Sequence, residues 1–131
     1  MKPAKQPRSM SPAVSEQMKA WSAALAGEVD TWPQASGRVF FGFTALYRGD
    51  KMFAALPRTR GMDTPNSLIF KLDSPTATVL AQLERDDRIH RFHGQKSRWL
   101  AFEISSDSDL RDALGWLGRA YDAAGKNKKA R

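Results

Sequence analysis

The chain contains no cysteine. That excludes a disulfide frame, a thiolate metal site and a cysteine nucleophile, and it fits a reducing compartment. Histidine is almost absent as well, with only His90 and His93. Neither belongs to a known metal-box spacing, and a metal site would need a carboxylate such as Glu103 to converge on them; solvated or core-edge histidines are the expectation, with no metal and no cofactor. Ser105, Ser106 and Ser108 lie beside Asp107 and Asp109, but helix capping accounts for that clustering, and no Ser-His-Asp arrangement follows. Gly42 and Gly49 fall in or between strands and do not open a helix, so there is no phosphate-cradling glycine loop. No apolar run approaches the ~18 residues of a membrane span, and the basic, proline-bearing MKPAKQPRSM start is not followed by a signal core. These absences predict a soluble, cytoplasmic protein without a membrane segment and without an identifiable catalytic residue.

Charge is abundant but unevenly placed. The formal net charge is +7 from 21 Lys and Arg against 14 Asp and Glu. Lys2, Lys5, Arg8, Lys126, Lys128, Lys129 and Arg131 are seven of those cations and lie in two tails without an acid. Residues 9–125 therefore hold 14 cations against 14 anions, and the pI near 10 describes the tails rather than the body. Within the body, Arg38, Arg48, Lys51, Arg58, Arg60 and Lys71 face only Asp50 and Asp63 between residues 38 and 71.

At 131 residues the chain suits one domain, able to bury roughly 65 to 70 per cent of its unfolded surface. The reading is a basic disordered tail over 1–10, a single α+β domain over 11–124 and a basic C-terminal tail over 125–131. Ser11-Pro12 is a helix start signal, and Val14, Met18, Trp21, Leu25 and Val29 recur at helical spacing to about Asp30. Trp32-Pro33 ends that helix and Gln34 to Gly37 links it to the sheet. Val39 to Tyr47 and Met52 to Leu56 form an expected hairpin about Arg48-Gly49-Asp50-Lys51, followed by a long 57–66 loop and a third strand over Ser67 to Leu72. Ser74-Pro75 signals a short helix with Val79, Leu80 and Leu83, and Ile89 to Phe92 gives a fourth strand. From Arg98 to Ile104 the alternation is clear, with Leu100, Phe102 and Ile104 on one face. Ser106 with Asp109 approximates a capping box ahead of a last helix striped by Leu110, Ala113, Leu114, Leu117, Ala120 and Tyr121. The predicted fold is α+β, a mainly antiparallel sheet of about five strands with helices on one side. Phe41, Phe53, Phe70, Leu100, Phe102, Leu114 and Leu117 are expected to share its core.

Arg38-Val39-Phe40-Phe41-Gly42, Leu46-Tyr47, Lys51-Met52-Phe53-Ala54 and Leu68-Ile69-Phe70-Lys71 together resemble the signature of TfoX N-terminal-domain proteins over roughly residues 20 to 72. The Trp99 strand and the terminal helix through Ala120-Tyr121 are similar to the related MmcQ/YjbR proteins. This chain departs from the TfoX pattern in having Phe40 for a Met, Phe43 for the second Gly, and a reversed Gly49-Asp50 turn. The resemblance implies the fold and transfers no catalytic residue.

The functional expectation is a non-enzymatic binding or regulatory module with weak affinity for nucleic acid or an anionic ligand. Arg38, Arg58, Arg60 and Lys71 are its candidate site, because guanidinium forks bind phosphate or carboxylate bidentately and a loop can bring two of them together. The alternatives are a protein–protein interaction module and, ranked last, a small-ligand protein or enzyme with a pocket at the 57–66 loop.

Overall fold

A computed structural model of the chain describes residues 14–61, 64–92 and 98–126. Helix α1 (Glu16–Val29) begins where the Ser15 hydroxyl accepts the Met18 N–H at 3.0 Å, and it buries Met18, Trp21, Leu25 and Val29 along one stripe. The Ser11-Pro12 signal lies outside the described residues.

The expected strand Val39 to Tyr47 is two strands, β1 (Ala35–Phe40) and β2 (Phe43–Arg48), folded back on each other at Phe41-Gly42. Gly42 has φ +95°, a region that side-chain-bearing residues rarely adopt, and Phe40 pairs with Phe43 across a two-residue turn. Two expectations fail for that reason. Most of the segment read as a link into the sheet belongs to β1, and Phe41, placed in the core from its alternation, is at the turn and 89% exposed.

The remaining elements are β3 (Lys51–Pro57), β4 (Ser67–Lys71), α2 (Ala77–Arg85), β5 (Ile89–Arg91), β6 (Trp99–Glu103) and α3 (Asp109–Lys126). Helix α2 starts two residues later than its Ser-Pro signal, on Thr76, whose hydroxyl accepts the Val79 N–H at 3.2 Å. Ahead of α3, the Asp109 carboxylate accepts the N–H groups of Ser105 and Ser106 at 2.8 and 3.2 Å, one half of a capping box.

Among the described residues the strands form one antiparallel sheet of six in the order β1-β2-β3-β4-β6-β5, one strand more than expected. The three helices pack on one side of it. There Phe53, Phe70, Leu100, Phe102, Ile104 and Leu117 are buried with the α1 stripe, and Leu114 is half-buried against them. A β-bulge between Leu46 and Tyr47 of β2 shifts the register opposite β3, and consecutive Phe53 and Ala54 both enter this core. Fully burying a side chain such as Phe102 stabilises by about 1.5–3 kcal/mol, so this face carries most of the fold's apolar stabilisation. No helix among the described residues is long and apolar enough to cross a membrane.

Candidate binding surface on the helix-free face

Side chains alternate across a strand, so the residues between the core positions point to the side without helices. Strand pairing aligns one of them from every strand: Arg38, Ala45, Ala55, Ile69, Ala101 and His90 form a single row across all six strands. The four central members are buried and three are alanine, while the two at the sheet edges are exposed and polar. Phe43, Met52, Phe92 and Trp99 pack against this small-residue floor as partly buried neighbours. The centre of this face is therefore covered by partly buried side chains, three of them aromatic.

Apolar side chains are exposed farther out, at the β1–β2 turn. Phe40 is 42% exposed and stacks on Phe43 with ring centres 5.4 Å apart, and Phe41 at the turn is 89% exposed, whereas Val39, 67% exposed, is paired with Thr44 and faces the other side of the sheet. Large exposed apolar patches commonly mark interaction sites. The turn is held rigidly, because the Gly42 carbonyl accepts backbone N–H groups of Arg58, Thr59 and Arg60 at 2.9, 3.1 and 3.3 Å. Gly61 fixes the same loop from the other side, since any Cβ there would collide with the Thr64 and Pro65 backbone.

The four predicted cations separate into three positions. Arg58 and Arg60 meet at the turn: Arg58 is exposed, and Arg60 is half-buried with its aliphatic stem against Gly42. Arg38 lies two residues before Phe40 on β1, with its guanidinium 4.7 Å above the Tyr47 ring. Lys71 is on the helix-free face too, opposite Trp99, but three strands from β1 and so ~14 Å away across the sheet. It also lies toward the far end from the turn, beside Lys51 and Asp73. The sequence thus brings Arg58 and Arg60 together with the exposed aromatic turn and Arg38 near it, and leaves Lys71 apart. Of the exposed residues at the turn, Phe41 is the one that alternation placed in the core; the glycine inside an aromatic run was the available signal.

Among the described residues a further electrostatic cluster lies where α2, β5 and α3 meet. Arg88 reaches Asp86 at 2.8 Å through two nitrogens, Asp109 at 2.8 Å and Asp112 at 3.1 Å, and its guanidinium lies 4.8 Å from the Phe102 ring centre. The Arg88 hydrogen bonds hold the Asp86 carboxyl below its usual range against a burial effect that raises it. Asp109 is lowered first by the Ser105 N–H, again against burial, and then by Arg88. Arg88 is raised, chiefly by Asp86, and stays charged at any accessible pH.

His90 is exposed, and His93 lies outside the described residues. The Ser106 and Ser108 hydroxyls pair with each other at 2.8 Å. Among the described residues no group of three or more His, Cys, Asp or Glu could hold a metal. Comparison with known proteins finds no matching family model, no matching curated protein and no matching solved structure.

Proposed function

We propose that the chain is a non-enzymatic binding module, TfoX/YjbR-like in layout, that holds single-stranded nucleic acid on the Val39–Phe43 turn and the adjoining helix-free sheet face. The observation that carries this reading is the pair of exposed phenylalanines at the turn, Phe40 and Phe41, with Arg38, Arg58 and Arg60 around them. Aromatic rings accept unstacked bases at about 1–3 kcal/mol per base whatever the sequence, and neighbouring cations meet the phosphates. A duplex hides its base faces and offers only phosphates, so duplex binding should come from the charged tails. The test is fluorescence anisotropy with labelled oligothymidylate and with duplex DNA of equal length. A chain limited to residues 9–125 should retain single-strand binding and lose most duplex binding. Phe41→Ala should weaken single-strand binding roughly fivefold or more. Single-strand binding unchanged by Phe41→Ala sinks the reading.

A protein partner is the second reading, favoured by the position of β1. It is an edge strand with Ser36 to Phe40 all exposed, and its outer backbone edge can add a further strand. Complex formation that survives nuclease treatment and high salt but fails with Phe41→Asp separates this reading from the first.

A further inference from the structure

Between the last turn of α2, the start of β5 and the outer side of α3 lies an open groove of about 760 Å³, within the range of ~300–1,000 Å³ typical of small-ligand sites. It is remote in the fold from the Phe41 turn, being built on the β5 side of the sheet. Arg111, Gly115 and Arg119 line it at positions i, i+4 and i+8, which places all three on one side of α3 and spreads the arginines over ~12 Å of helix. Arg85 lines it from α2.

These three arginines differ from Arg88 next to them. Among the described residues Arg85, Arg111 and Arg119 have no carboxylate partner, whereas Asp86, Asp109 and Asp112 are all engaged by Arg88. Of the acids lining the groove, Asp87 alone is not bonded to Arg88. Arg119 is held in place before any ligand arrives: its guanidinium lies 4.4 Å from the Trp116 ring centre, and Trp116, only 4% exposed, stacks on Phe70 with centres 5.7 Å apart. Gly115 leaves the space between the two α3 arginines empty. A Cβ there would meet nothing within 4 Å, so packing does not require glycine, although a mid-helix glycine costs about 1 kcal/mol relative to alanine.

We propose that this groove binds an oligophosphate group, with Arg111 and Arg119 gripping its two ends across Gly115 and Arg85 closing over it from α2. Guanidinium forks match phosphate oxygens bidentately, and three of them from two elements suit a ligand with more charge than one carboxylate carries. The separation of Arg111 from Arg119 selects a chain of phosphates over a single phosphate. The group reaches the site either as free polyphosphate or as the phosphate tail of a nucleotide.

The test is NMR titration of the ¹⁵N-labelled full chain with sodium tripolyphosphate, orthophosphate, ATP without metal, and sodium chloride at matched ionic strength. Saturable shifts confined to residues near 82–88 and 111–119, with tripolyphosphate tighter than orthophosphate, are expected. Equal affinity for ATP and tripolyphosphate identifies the phosphate chain as the whole ligand, and tighter ATP binding identifies a nucleotide. Arg111→Gln and Arg119→Gln should each weaken tripolyphosphate about tenfold or more. Gly115→Leu should abolish the shifts while holding or raising the melting temperature, because leucine fills the groove and favours the helix. Phe41→Ala should leave the titration unchanged, which keeps this site separable from single-strand binding. Shifts reproduced by sodium chloride, or surviving both Gly115→Leu and Arg111→Gln, overturn the proposal.

Discussion

The Trp21 indole N–H donates to the Asp107 carboxylate at 2.7 Å, joining the middle of α1 to the turn that starts α3 across 86 residues of chain. Trp21 is 6% exposed, so its N–H has little access to water as a substitute acceptor. Asp107→Ala should cost about 1–3 kcal/mol, the desolvation penalty of a buried donor left without a partner. Asp107→Asn keeps a carbonyl oxygen in place and should lose less. Urea unfolding of the two variants decides this, and equal stability for Asp107→Ala and the parent chain would show that the bond contributes nothing net.

The Arg88 hub makes stability depend on acid in a definite direction. Asp86 and Asp109 have folded-state values below their ordinary 3.8, so the folded protein binds fewer protons than the unfolded chain as pH falls through that region. Their contribution is complete above about pH 4 to 5 and is lost progressively as pH drops through the depressed values. Arg88→Met should cost about 1–3 kcal/mol at neutral pH, between the values for exposed and buried ion pairs, because the Arg88 side chain is 30% exposed and those of Asp86 and Asp109 are each 14%. The deficit should shrink below pH 4. A deficit constant from pH 3 to 7 would assign the role of Arg88 to its packing on Phe102 instead.

Which features were legible from the sequence depended on how far apart the interacting residues lie. Leu100, Phe102 and Ile104 alternate within five residues, and all three are in the core. The last helix was equally readable from its stripe, though Leu114 lies at the margin of the core rather than inside it. The Phe41-Gly42 turn was not readable, because the apolar alternation runs straight through it and only the backbone at Gly42 breaks the strand. That Arg58 and Arg60 lie together follows from their closeness in sequence, whereas the distance of Lys71 from them depends on strand order. The Arg88 cluster was out of reach for a similar reason: two of its three carboxylates come from 21 and 24 residues downstream.

The exposed turn separates two phenylalanines that alternation had placed together. Phe41→Ala should change stability by no more than about 0.5 kcal/mol, as expected at an exposed position. Phe102→Ala, at a site with no exposed area, should cost about 3–5 kcal/mol from lost transfer energy and the cavity left behind. Thermal or urea unfolding reads both, and a loss above 1 kcal/mol for Phe41→Ala would mean that the turn packs against something in solution.

Arg58 and Arg60 are two positions apart, yet the fold gives them different work. Both backbone N–H groups bond the Gly42 carbonyl, and no side-chain substitution removes those bonds. The Arg58 side chain is exposed, so Arg58→Ala should leave stability within about 0.5 kcal/mol. Arg60 is half-buried, and its Cβ, Cγ and Cδ lie 3.5–3.7 Å from where a Gly42 Cβ would stand. Its stem covers the turn, so Arg60→Ala should cost about 1 kcal/mol through lost packing, and Arg60→Met should recover most of that. Oligothymidylate binding should follow charge rather than packing: weakened by Arg58→Ala, and weakened alike by Arg60→Ala and Arg60→Met. If Arg60→Met restored binding together with stability, Arg60 would act only by supporting the turn, and the phosphate contact would belong to Arg58 and Arg38.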